Sequence, residues 1–538
     1  AENVVGMLSS ELDWVHFSPS TIDIGSLPEN GTMVEIETTI SLDDIGELST
    51  AIFSLNLYAE FDDDGTAIEY NDEFNFELEI TLNQAGFPIE SNEIRSSPLV
   101  IDLDNDGLKE IILGDYDGVI HIYNADGSEW INNIFPFDTG GQIWGSPAGV
   151  DLDGDNMLDV VIASKSKHLY IFDAFGLKLD YETELYLIGT PAIGNLDDDD
   201  DLEIVFTGYS SNNKLFVINV DGSDVSGFPF ELGEKAKAGP ALADFNNNGR
   251  DDIVLGTDDD HIYLILDDGT VAPGFPFVSG NKIQTAPSIL EINGEMTILA
   301  GCNDYNLYAV NSEGSLSFSY MSEDKIQASP SFLEINGEAA VFFGNNSGYI
   351  HGLYMSGTPL PGWPILINGD IEGSVIFSDL DGDGEAEVVA VSNTGELSAF
   401  YLNGSPYPHF PMLNGSPFKG SPMIIDLDDD DDLEIMGGSA NNLAVIDVKE
   451  NGSSANYWNI FRGNNLRNGF ALFGNSECGA VRGDVNGDNE INILDLVQIA
   501  NLILEVSTPD FECAADYTQD GEVNILDLVQ IANLILEN

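Results

Sequence analysis

The chain has 538 residues and carries 94 Asp and Glu against 16 Lys and Arg, a formal net charge of −78. Nucleic acid and anionic membrane surfaces are not expected as partners, because both need a basic face. Hydrophobic residues make up 43% of the sequence, so large cores can be buried, and the length predicts two to four domains. No apolar stretch is long enough to predict a membrane span.

The sequence begins at Ala1 and not at Met, so we expect a cleaved signal peptide and an extracellular or cell-surface location. Cys302 lies in an apolar strand pattern and is predicted to be a buried thiol. Cys478 and Cys513 flank part of the C-terminal region, and a disulfide between them is one of two open alternatives; the other is a pair of free thiols.

Residues 1–85 alternate polar and apolar residues at 33–40, 51–61 and 73–82, which predicts a small β-sandwich. The region carries no motif to which chemistry can be assigned.

Residues 86–472 repeat one pattern about every 45 residues. A small residue and Pro precede an apolar strand, an acidic loop, a second apolar strand ending near Gly, and a third strand. The repeats open at Ser97-Pro98, Ser146-Pro147, Thr190-Pro191, Gly239-Pro240, Ala286-Pro287, Ser329-Pro330, Ser374-Val375 and Ser421-Pro422. The repeat length predicts a β-propeller of eight blades, with seven blades and a modified unit as the alternative.

A Gly-aromatic-Pro sequence marks the outermost strand of several repeats, as at Gly227-Phe228-Pro229, where Pro is tolerated because no ladder donor is needed. The same sequence at Gly86-Phe87-Pro88 precedes the first repeat. It therefore predicts that a strand before the first blade completes the last blade. Residues 457–463 are predicted to form a further closing strand.

The acidic loops place oxygen side chains at positions one, three, five and nine of a tight turn, as Ca²⁺ requires. The predicted ligands are Asp102, Asp104, Asp106 and Glu110; Asp151, Asp153, Asp155 and Asp159; Asn195, Asp197, Asp199 and Glu203; Asp244, Asn246, Asn248 and Asp252; Asp379, Asp381, Asp383 and Glu387; and Asp426, Asp428, Asp430 and Glu434. The fifth and sixth repeats have shortened loops at 291–295 and 334–338 and are predicted to bind no metal. These repeats resemble the calcium-binding FG-GAP or VCBS (integrin-α-like) blades of extracellular propellers, which implies calcium in a structural role.

Residues 477–538 contain a duplication, INILDLVQIANLILE at 491–505 and VNILDLVQIANLILE at 523–537, with apolar residues at helical spacing. Each copy follows a loop with EF-hand-like ligand spacing. The predicted ligands are Asp484, Asn486, Asp488, the Glu490 carbonyl, Asn492 and Asp495, and then Asp516, Thr518, Asp520, the Glu522 carbonyl, Asn524 and Asp527.

This duplication resembles a type I dockerin, which implies a cohesin-like receptor and folding that depends on Ca²⁺. The sequence departs from the usual dockerin pattern at Ile493-Leu494 and Ile525-Leu526, where polar residues often determine partner choice. Three explanations are open for these apolar faces: a hydrophobic partner surface, packing against this protein's own propeller, and mutual burial of the two helices.

Two further features carry little functional weight. Arg482-Gly483-Asp484 spells an adhesion tripeptide, but Asp484 is already predicted to bind calcium. His121, His168, His261 and His351 recur on third strands without a carboxylate or cysteine partner in sequence, and are interpreted as strand-surface residues. No nucleophile elbow, phosphate loop or zinc spacing is present.

The sequence therefore predicts a secreted, non-catalytic calcium-binding protein of structural or adhesive function, with about eight calcium ions, six in the propeller and two in the dockerin-like module. Its propeller would present loops to a glycan or protein, and the module would anchor it in an assembly. One alternative is a subunit that docks head-to-tail onto another copy of itself and forms filaments. The other is a polysaccharide lyase, although so acidic a chain would repel an acidic polysaccharide unless calcium bridged the two.

Overall fold

The structure is a computed structural model that describes residues 2–12, 14–26, 37–42, 50–63, 66–79, 81–199, 201–473, 483, 485–486, 491–504, 512–515, 517 and 523–537. The described part is mainly β, as predicted. Its two α-helices both lie in the C-terminal module.

The N-terminal region contains one four-stranded sheet and one two-stranded sheet. The first has the order β3-β1-β5-β6, formed by β1 (Glu2–Ser10), β3 (Thr21–Gly25), β5 (Thr50–Asp63) and β6 (Thr66–Glu79); the second pairs β2 (Val15–Ser18) with β4 (Thr39–Leu42). Val15 and Phe53 are buried between the two sheets, against Leu12, Trp14 and Phe17. Contacts with the repeat region begin at Leu82, whose carbonyl accepts from the Asp447 N–H, slightly before the predicted boundary.

The repeat region forms eight antiparallel sheets, called sheets 1 to 8 in chain order, each built from successive strands. Sheet 1 contains β8 (Leu99–Ile101), β9 (Glu110–Gly114), β10 (Val119–Asn124) and β11 (Phe137–Asp138); sheet 2 contains β12 (Ala148–Val150), β13 (Asp159–Ser164), β14 (His168–Asp173) and β15 (Gly176–Glu182); sheet 3 contains β16 (Ala192–Gly194), β17 (Glu203–Thr207), β18 (Lys214–Ile218) and β19 (Phe230–Glu231); sheet 4 contains β20 (Ala241–Ala243), β21 (Asp252–Gly256), β22 (His261–Ile265) and β23 (Phe277–Val278).

The later sheets follow the same order. Sheet 5 contains β24 (Ser288–Ile292), β25 (Glu295–Gly301), β26 (Asn306–Asn311) and β27 (Leu316–Met321); sheet 6 contains β28 (Ser331–Ile335), β29 (Glu338–Gly344), β30 (Tyr349–Tyr354) and β31 (Ile365–Leu366); sheet 7 contains β32 (Ile376–Ser378), β33 (Glu387–Val391), β34 (Glu396–Tyr401) and β35 (Met412–Leu413); sheet 8 contains β36 (Met423–Ile425), β37 (Asp432–Gly438) and β38 (Asn442–Asn451). The outer strand of sheet 8 is β7 (Ile89–Glu90), from before sheet 1, and β39 (Phe470–Phe473) adds to sheet 5 parallel to β24.

The second strand is completely buried in several repeats, because neighbouring sheets cover both of its faces. All five residues of β9 are buried, as are those of β17, β21 and β33. Packing explains why this strand ends in glycine. In sheet 1, a Cβ on Gly114 would lie 2.4 Å from the Ile143 side chain. The same contact recurs between Gly256 and Ile283, so a side chain at this glycine would displace the isoleucine before the next repeat.

The small residue that opens each repeat also has a physical reason. The Ser97 N–H donates to the Ser146 hydroxyl at 2.8 Å, and the Ser146 N–H donates to the Thr190 hydroxyl at 2.9 Å. The Ser374 N–H likewise donates to the Ser421 hydroxyl at 2.8 Å. Each hydroxyl therefore links the start of one sheet to the start of its neighbour.

Residues 457–463 were predicted to form a closing strand, and this prediction is wrong: they form turns. The segment 458–469 instead crosses the first strands of the sheets. Its backbone carbonyls accept from Phe377, Ile424, Gly149, Ile193, Leu242 and Ile289, which belong to sheets 7, 8, 2, 3, 4 and 5. We call this segment the plug, because it lies where the first strands converge.

Two arginines of the plug are completely buried. Arg467 donates to the carbonyls of Pro147 and Pro98, both at 2.8 Å, and Arg462 donates to those of Pro287, at 2.6 Å, and Pro240. These four prolines are the opening residues of sheets 2, 1, 5 and 4. Burial lowers the pKa of both guanidinium groups to about 9, which leaves them protonated at neutral pH.

The C-terminal module contains α1 (Ile493–Ile503), a 3₁₀ helix (Glu512–Ala515) and α2 (Ile525–Glu537). Val485, Ile499, Ala514, Ala515 and Ile531 form its buried core. The spacing of Ile499 and Ile531 in the two copies shows why the duplicated helices pack together: each contributes the same position to the shared core.

Replacing Arg467 by Met should destabilise the repeat region. The substitution leaves buried carbonyls of sheets 1 and 2 without a donor, at about 1–3 kcal/mol for each unsatisfied group. We expect the free energy of unfolding, measured by denaturant titration with tryptophan fluorescence, to fall by about 3 kcal/mol. Lys214→Met removes a surface ion pair with Glu231 and should leave the free energy of unfolding nearly unchanged. Equal effects of the two substitutions would contradict a stabilising function of the plug.

Candidate metal centres

The acidic loops connect the first and second strands of sheets 1–4, 7 and 8. In five of the six loops the first residue is an aspartate that organises the turn by accepting backbone N–H groups, whereas the side chain of Asn195 in the third loop accepts none from the described residues. In the first loop, Asp102 Oδ1 accepts from the Asp106 N–H at 3.0 Å and Oδ2 from the Gly107 N–H at 2.9 Å. Asp151, Asp244 and Asp379 make the equivalent contacts in their loops.

Five loops bring three acidic side chains together, with one oxygen of each within 4.8 Å of the others. The groups are Asp102, Asp104 and Glu110; Asp151, Asp153 and Asp159; Asp197, Asp199 and Glu203; Asp379, Asp381 and Glu387; and Asp426, Asp428 and Glu434. In four of them the members are positions one, three and nine. The third loop has Asn195 at position one, and its group uses positions three, five and nine.

The acidic residue at position nine begins the buried second strand and is held by one of its two oxygens. In Glu203, Glu387 and Glu434, Oε2 accepts the N–H of Leu196, Leu380 and Leu427 at 2.6, 2.7 and 2.5 Å. The other oxygen of each carboxylate is buried and has no hydrogen-bond donor in the described part of the chain. A hard cation among the grouped carboxylates would satisfy this oxygen, so the residues present fit calcium.

Electrostatics agree with this geometry. Burial, with a further contribution from the neighbouring carboxylates, raises the pKa of Glu110 and Glu203 to about 7 and that of Glu387 and Glu434 to about 8. Without a cation, these groups are therefore largely protonated near neutral pH. A divalent ion would replace the proton and stabilise the charged form.

Position five lies outside four of the five groups of three. Asp106, Asp155 and Asp383 each accept the N–H of the residue two positions later, at 2.8 Å in every case. These side chains also close the turn, and their place among the calcium ligands stays a prediction.

The fourth loop differs from the five acidic groups because positions three and five are asparagines. Asn246 Nδ2 lies 3.4 Å from both carboxylate oxygens of Asp252, and Asn248 Nδ2 donates to Asp267 at 3.2 Å. Burial raises the pKa of Asp252 to about 7. Amide groups thus supply donors that the other loops lack, so this loop has the least need of a cation.

The second loop holds a cation of its own, which the sequence analysis missed. The Lys178 ammonium group lies 2.8 Å from Asp153 Oδ2 and 2.9 Å from Asp159 Oδ1. Lys178 belongs to β15, a seven-residue outer strand, whereas sheets 1, 3 and 4 have two-residue outer strands. The unusual length of this strand was the only signal that could have indicated the contact.

Sheets 5 and 6 replace the acidic loop by a two-residue hairpin turn. Ile292 pairs with Glu295 across Asn293-Gly294, and Ile335 pairs with Glu338 across Asn336-Gly337. Asn293 has a φ of 52° and Gly294 of 81°, as a type I′ turn requires. The turn leaves no loop in which position three or five could stand.

In the C-terminal module the position-twelve residues Asp495 and Asp527 are completely buried. Asp495 accepts the N–H groups of Val485 at 3.1 Å and Asn492 at 2.9 Å, and Asp527 accepts that of Asn524 at 2.8 Å. Each aspartate thus ties its loop to the start of its helix. The predicted ligands Asp484, Asp488, Glu490, Asp516, Thr518, Asp520 and Glu522 lie outside the described residues, as do Arg482 and Cys478.

The two helices bury one apolar face and expose another. Leu494 is 58% exposed and Val497 is 54% exposed on α1, and Ile493, Leu504 and, on α2, Val529 are also exposed. Mutual burial of the helices therefore explains Ile499 and Ile531 but not this second set. An apolar stripe is left at the surface of the module.

The histidines were interpreted as strand-surface residues, which is wrong for His351 because it is completely buried; His121, His168 and His261 are partly exposed on third strands. Carboxylates that the sequence spacing did not indicate lie beside them. His121 lies 2.8 Å from Glu129, His261 lies 2.9 Å from Glu234, and the completely buried His351 lies 3.1 Å from Glu323. These carboxylates are distant in sequence or on the next strand, so linear spacing does not indicate them. Cys302 is a buried free thiol, as predicted.

Comparisons with solved structures find long but distant matches. A computationally designed protein, Ika8, is 12% identical, with 68% of this chain and 99% of that chain covered and a TM-score of 0.48. BamB from Moraxella catarrhalis is 15% identical (67% and 97% covered, TM-score 0.44), and the V. cholerae biofilm matrix protein Bap1 is 13% identical (70% and 93% covered, TM-score 0.41). A search of curated proteins finds no match. In the described residues, no helix combines the length and apolar character needed to cross a membrane.

Family models match two parts of the chain. The FG-GAP-like repeat matches residues 102–162, which contain the first two acidic loops, and the type I dockerin domain matches residues 482–536. Dockerin domains generally bind calcium, and a type I dockerin implies a cohesin partner. The chain therefore carries an FG-GAP-like repeat and ends in a type I dockerin domain.

Proposed function

We propose that the protein is a non-catalytic, calcium-stabilised component of an extracellular assembly. Its repeat region is a rigid eight-bladed propeller that presents a binding surface, and its dockerin anchors that propeller to a cohesin partner. The observation that carries the proposal is the set of buried, unsatisfied carboxylate oxygens in the acidic loops. A secreted protein meets millimolar calcium, which suits loops of this kind.

The pairing of β7 with β38 supports a closed ring. It joins the first described residues of the repeat region to the last sheet. Gly420, before sheet 8, also lies against the Ser96 backbone before sheet 1, where a Cβ would be 2.6 Å from the Ser96 carbonyl. Closure of this kind removes exposed sheet edges and makes the propeller stiff.

Calcium sites in the propeller should differ in strength. We assign six sites to its loops and two to the dockerin. The loops with three converging carboxylates and no internal cation, in sheets 1, 3, 7 and 8, should bind most tightly. Lys178 competes for the second loop and the asparagines weaken the fourth, so these two should fill last.

The exposed apolar stripe of the dockerin supports a hydrophobic partner surface. Leu494, Val497 and their neighbours form an apolar stripe that faces water. Burying this stripe against an apolar partner surface would be favourable. The same stripe could dock onto another copy of this chain and generate filaments, which is the alternative assembly. A polysaccharide lyase is the remaining alternative, and an assay for unsaturated uronate products separates it from binding alone.

Glu387→Gln should reduce the stabilisation that calcium gives to the propeller. At a calcium concentration about 100 times the dissociation constant, one site contributes about 2.7 kcal/mol. We expect E387Q to lose about this much of the calcium-dependent free energy of unfolding, and one ion in equilibrium dialysis. The matched change Glu338→Gln, in the hairpin turn of sheet 6, should alter neither quantity. An unchanged number of bound ions in E387Q would contradict a calcium site in the loop of sheet 7.

Calcium binding should strengthen as the pH rises from about 5 to about 8. The pKa of Glu387 and Glu434 is raised from the ordinary 4.5 to about 8 in the metal-free fold, so protons compete with calcium throughout this range. Because the folded pKa is raised, these groups make the metal-free protein less stable as the pH rises. The difference in melting temperature between calcium and chelator should therefore widen steadily toward about pH 8, and a pH-independent difference would be evidence against proton displacement.

Cohesin binding tests the anchoring function. The full chain should bind a type I cohesin module in calcium and not in chelator, as measured by calorimetry. Leu494→Asp should weaken binding by about tenfold or more, because it places a charge in the apolar stripe. Leu413→Asp changes an even more exposed leucine, at 76%, on the outer strand of sheet 7 and should have no effect. Calcium-dependent growth of the isolated chain in light scattering, without cohesin binding, would favour the filament instead.

A further inference from the structure

The cationic side chains are concentrated at one end of the eight sheets. Each first strand runs from its small-residue opening to the acidic loop, so the openings and the acidic loops lie at opposite ends of the sheets. Half of the 16 Lys and Arg stand at the opening end, in the segment before an opening or in the loop between second and third strands. They are Arg95, Lys165, Lys167, Lys235, Lys237, Lys282, Lys325 and Lys419.

Hydrogen bonds join these two kinds of segment into one surface. The Asp258 N–H donates to the Lys235 carbonyl at 2.8 Å, and the Asn303 N–H to the Lys282 carbonyl at 3.0 Å. The Lys165 N–H donates to the Gln142 carbonyl at 2.9 Å. We call this surface the opening face.

The centre of the opening face is a depression of about 600 Å³ whose floor includes Phe461 of the plug. Its rim repeats one position, two residues before each opening, and the eight sheets supply three cations, two amides, one carboxylate, one aromatic ring and one aliphatic side chain there. The rim residues are Arg95, Trp144, Ile188, Lys237, Gln284, Gln327, Glu372 and Lys419. A position that varies in this way around a regular ring is more consistent with recognition of a ligand than with a packing constraint shared by the sheets.

A second depression of about 650 Å³ continues outward from the rim over sheets 2 to 4. Trp144, Tyr186 and Tyr209 line it together with Lys165 and Lys237. Because Trp144 and Lys237 line both depressions, the two form one groove from the centre toward the edge. An extended chain of several units fits such a groove better than a compact molecule.

Cations lie over the aromatic rings of this groove. The Arg95 guanidinium carbon is 4.5 Å from the Tyr116 ring centre and 4.6 Å from that of Trp144, and the Lys165 ammonium is 4.6 Å from the Trp144 ring. Tyr116 and Trp144 are themselves stacked, with ring centres 6.1 Å apart. These contacts hold flat apolar faces and positive charges side by side.

Several of the cations have no acidic partner. Arg95 pairs with Glu93, and Lys282 pairs with Asp258 at 3.1 Å. Lys237 and Lys419, by contrast, form no salt bridge with any of the described residues, although the chain contains 94 carboxylates. Unpaired ammonium groups on the rim of a groove can bind an anion without first breaking an ion pair.

From this arrangement we infer that the opening face binds an anionic oligosaccharide whose sugars carry carboxylates. Tyr186, which is 52% exposed, can pack against the apolar face of a sugar ring, the Gln142 amide nitrogen can donate to a hydroxyl, and Lys237 and Lys419 bind carboxylates. An acidic peptide shares the charge but offers fewer hydroxyls for this amide. The inference assigns a ligand class to the binding surface of the proposed function, and rests on it.

The net charge does not prevent this binding. A three-residue first strand alone separates the two ends by about 10 Å. At physiological ionic strength screening acts over about 8 Å, so the opening face is largely shielded from the acidic loops. Carboxylates such as Asp115 and Asp258 also stand at the opening face. The lining of the two depressions nevertheless holds four cations against one carboxylate, Glu372, so the groove itself is cationic.

The test uses the full chain in saturating calcium and isothermal titration with tetragalacturonate, which is too short to form calcium gels. Fully methyl-esterified tetragalacturonate is the neutral control, and tetraglutamate represents an acidic peptide. Lys237→Gln and Lys419→Gln are compared with Lys214→Gln, which removes the same charge from the Glu231 pair on β18. The calcium-induced rise in melting temperature is measured first for each protein, so loss of the fold is recognised separately.

We expect tetragalacturonate to bind, with affinity about tenfold lower in K237Q and in K419Q and unchanged in K214Q, and to weaken with added salt. The methyl ester should bind at least tenfold more weakly than the acid. No binding of tetragalacturonate, equal binding of its methyl ester, or equal affinity in K237Q, K419Q and K214Q would overturn the inference. Tighter binding of tetraglutamate would overturn it as well and assign the face to an acidic protein. A chain that calcium stabilises but that binds no sugar contradicts this inference alone, whereas a chain that calcium does not stabilise contradicts the proposed function.

Discussion

The repeat region depends on the buried hydrogen bonds of two arginines. Eight sheets that converge at their first strands direct backbone carbonyls toward a common centre, where water cannot satisfy all of them. Arg462 and Arg467 supply donors to carbonyls of sheets 1, 2, 4 and 5 from one short segment. Guanidinium groups suit this task, because each presents several N–H donors in a fixed plane and remains charged when buried. The centre is thus polar, and the arginine hydrogen bonds stabilise it, although Trp458 Nε1 and Asn464 Oδ1 of the plug have no hydrogen-bond partner among the described residues.

Charge is distributed around this centre by the direction of the first strands. In sheets 1, 2, 3, 7 and 8, one end of the first strand leads into a loop where carboxylates converge and must be neutralised by a proton, by Lys178 or by a metal ion. The other end carries an opening segment with unpaired lysines and aromatic rings. A strongly acidic protein can therefore carry a locally cationic groove, even though carboxylates such as Asp115 and Asp304 stand at the same end of the sheets. The plug contributes Phe461 to the cationic end, so the centre of the fold also shapes the groove.

Much of this organisation could be predicted from the sequence, because the repeats are regular and many of their loops and turns have a short characteristic sequence. The acidic loops, the Asn-Gly turns of sheets 5 and 6 and the duplicated C-terminal helices follow from short sequence patterns. The FG-GAP-like repeat and the dockerin are confirmed. The plug could not be predicted, since its turns have no periodicity and its partners are hundreds of residues away. Lys178 and the carboxylate partners of the histidines lie on other strands or connecting segments, and the cationic groove forms between sheets; sequence spacing indicates neither kind of contact.

The location of the plug near the end of the repeats has a consequence for the order of folding. A ribosome makes sheets 1 to 8 in sequence, but the segment that satisfies their central carbonyls is synthesised only after all of them. Strand β7 likewise cannot pair until β38 has been synthesised, more than 350 residues further along the chain. The early sheets therefore remain incomplete until the last repeat emerges, and the region gains its stability in one late step. The same order of events would keep the chain unfolded if it must pass through a membrane before it meets calcium. At that stage the plug has not docked, and no calcium ions are bound in the acidic loops.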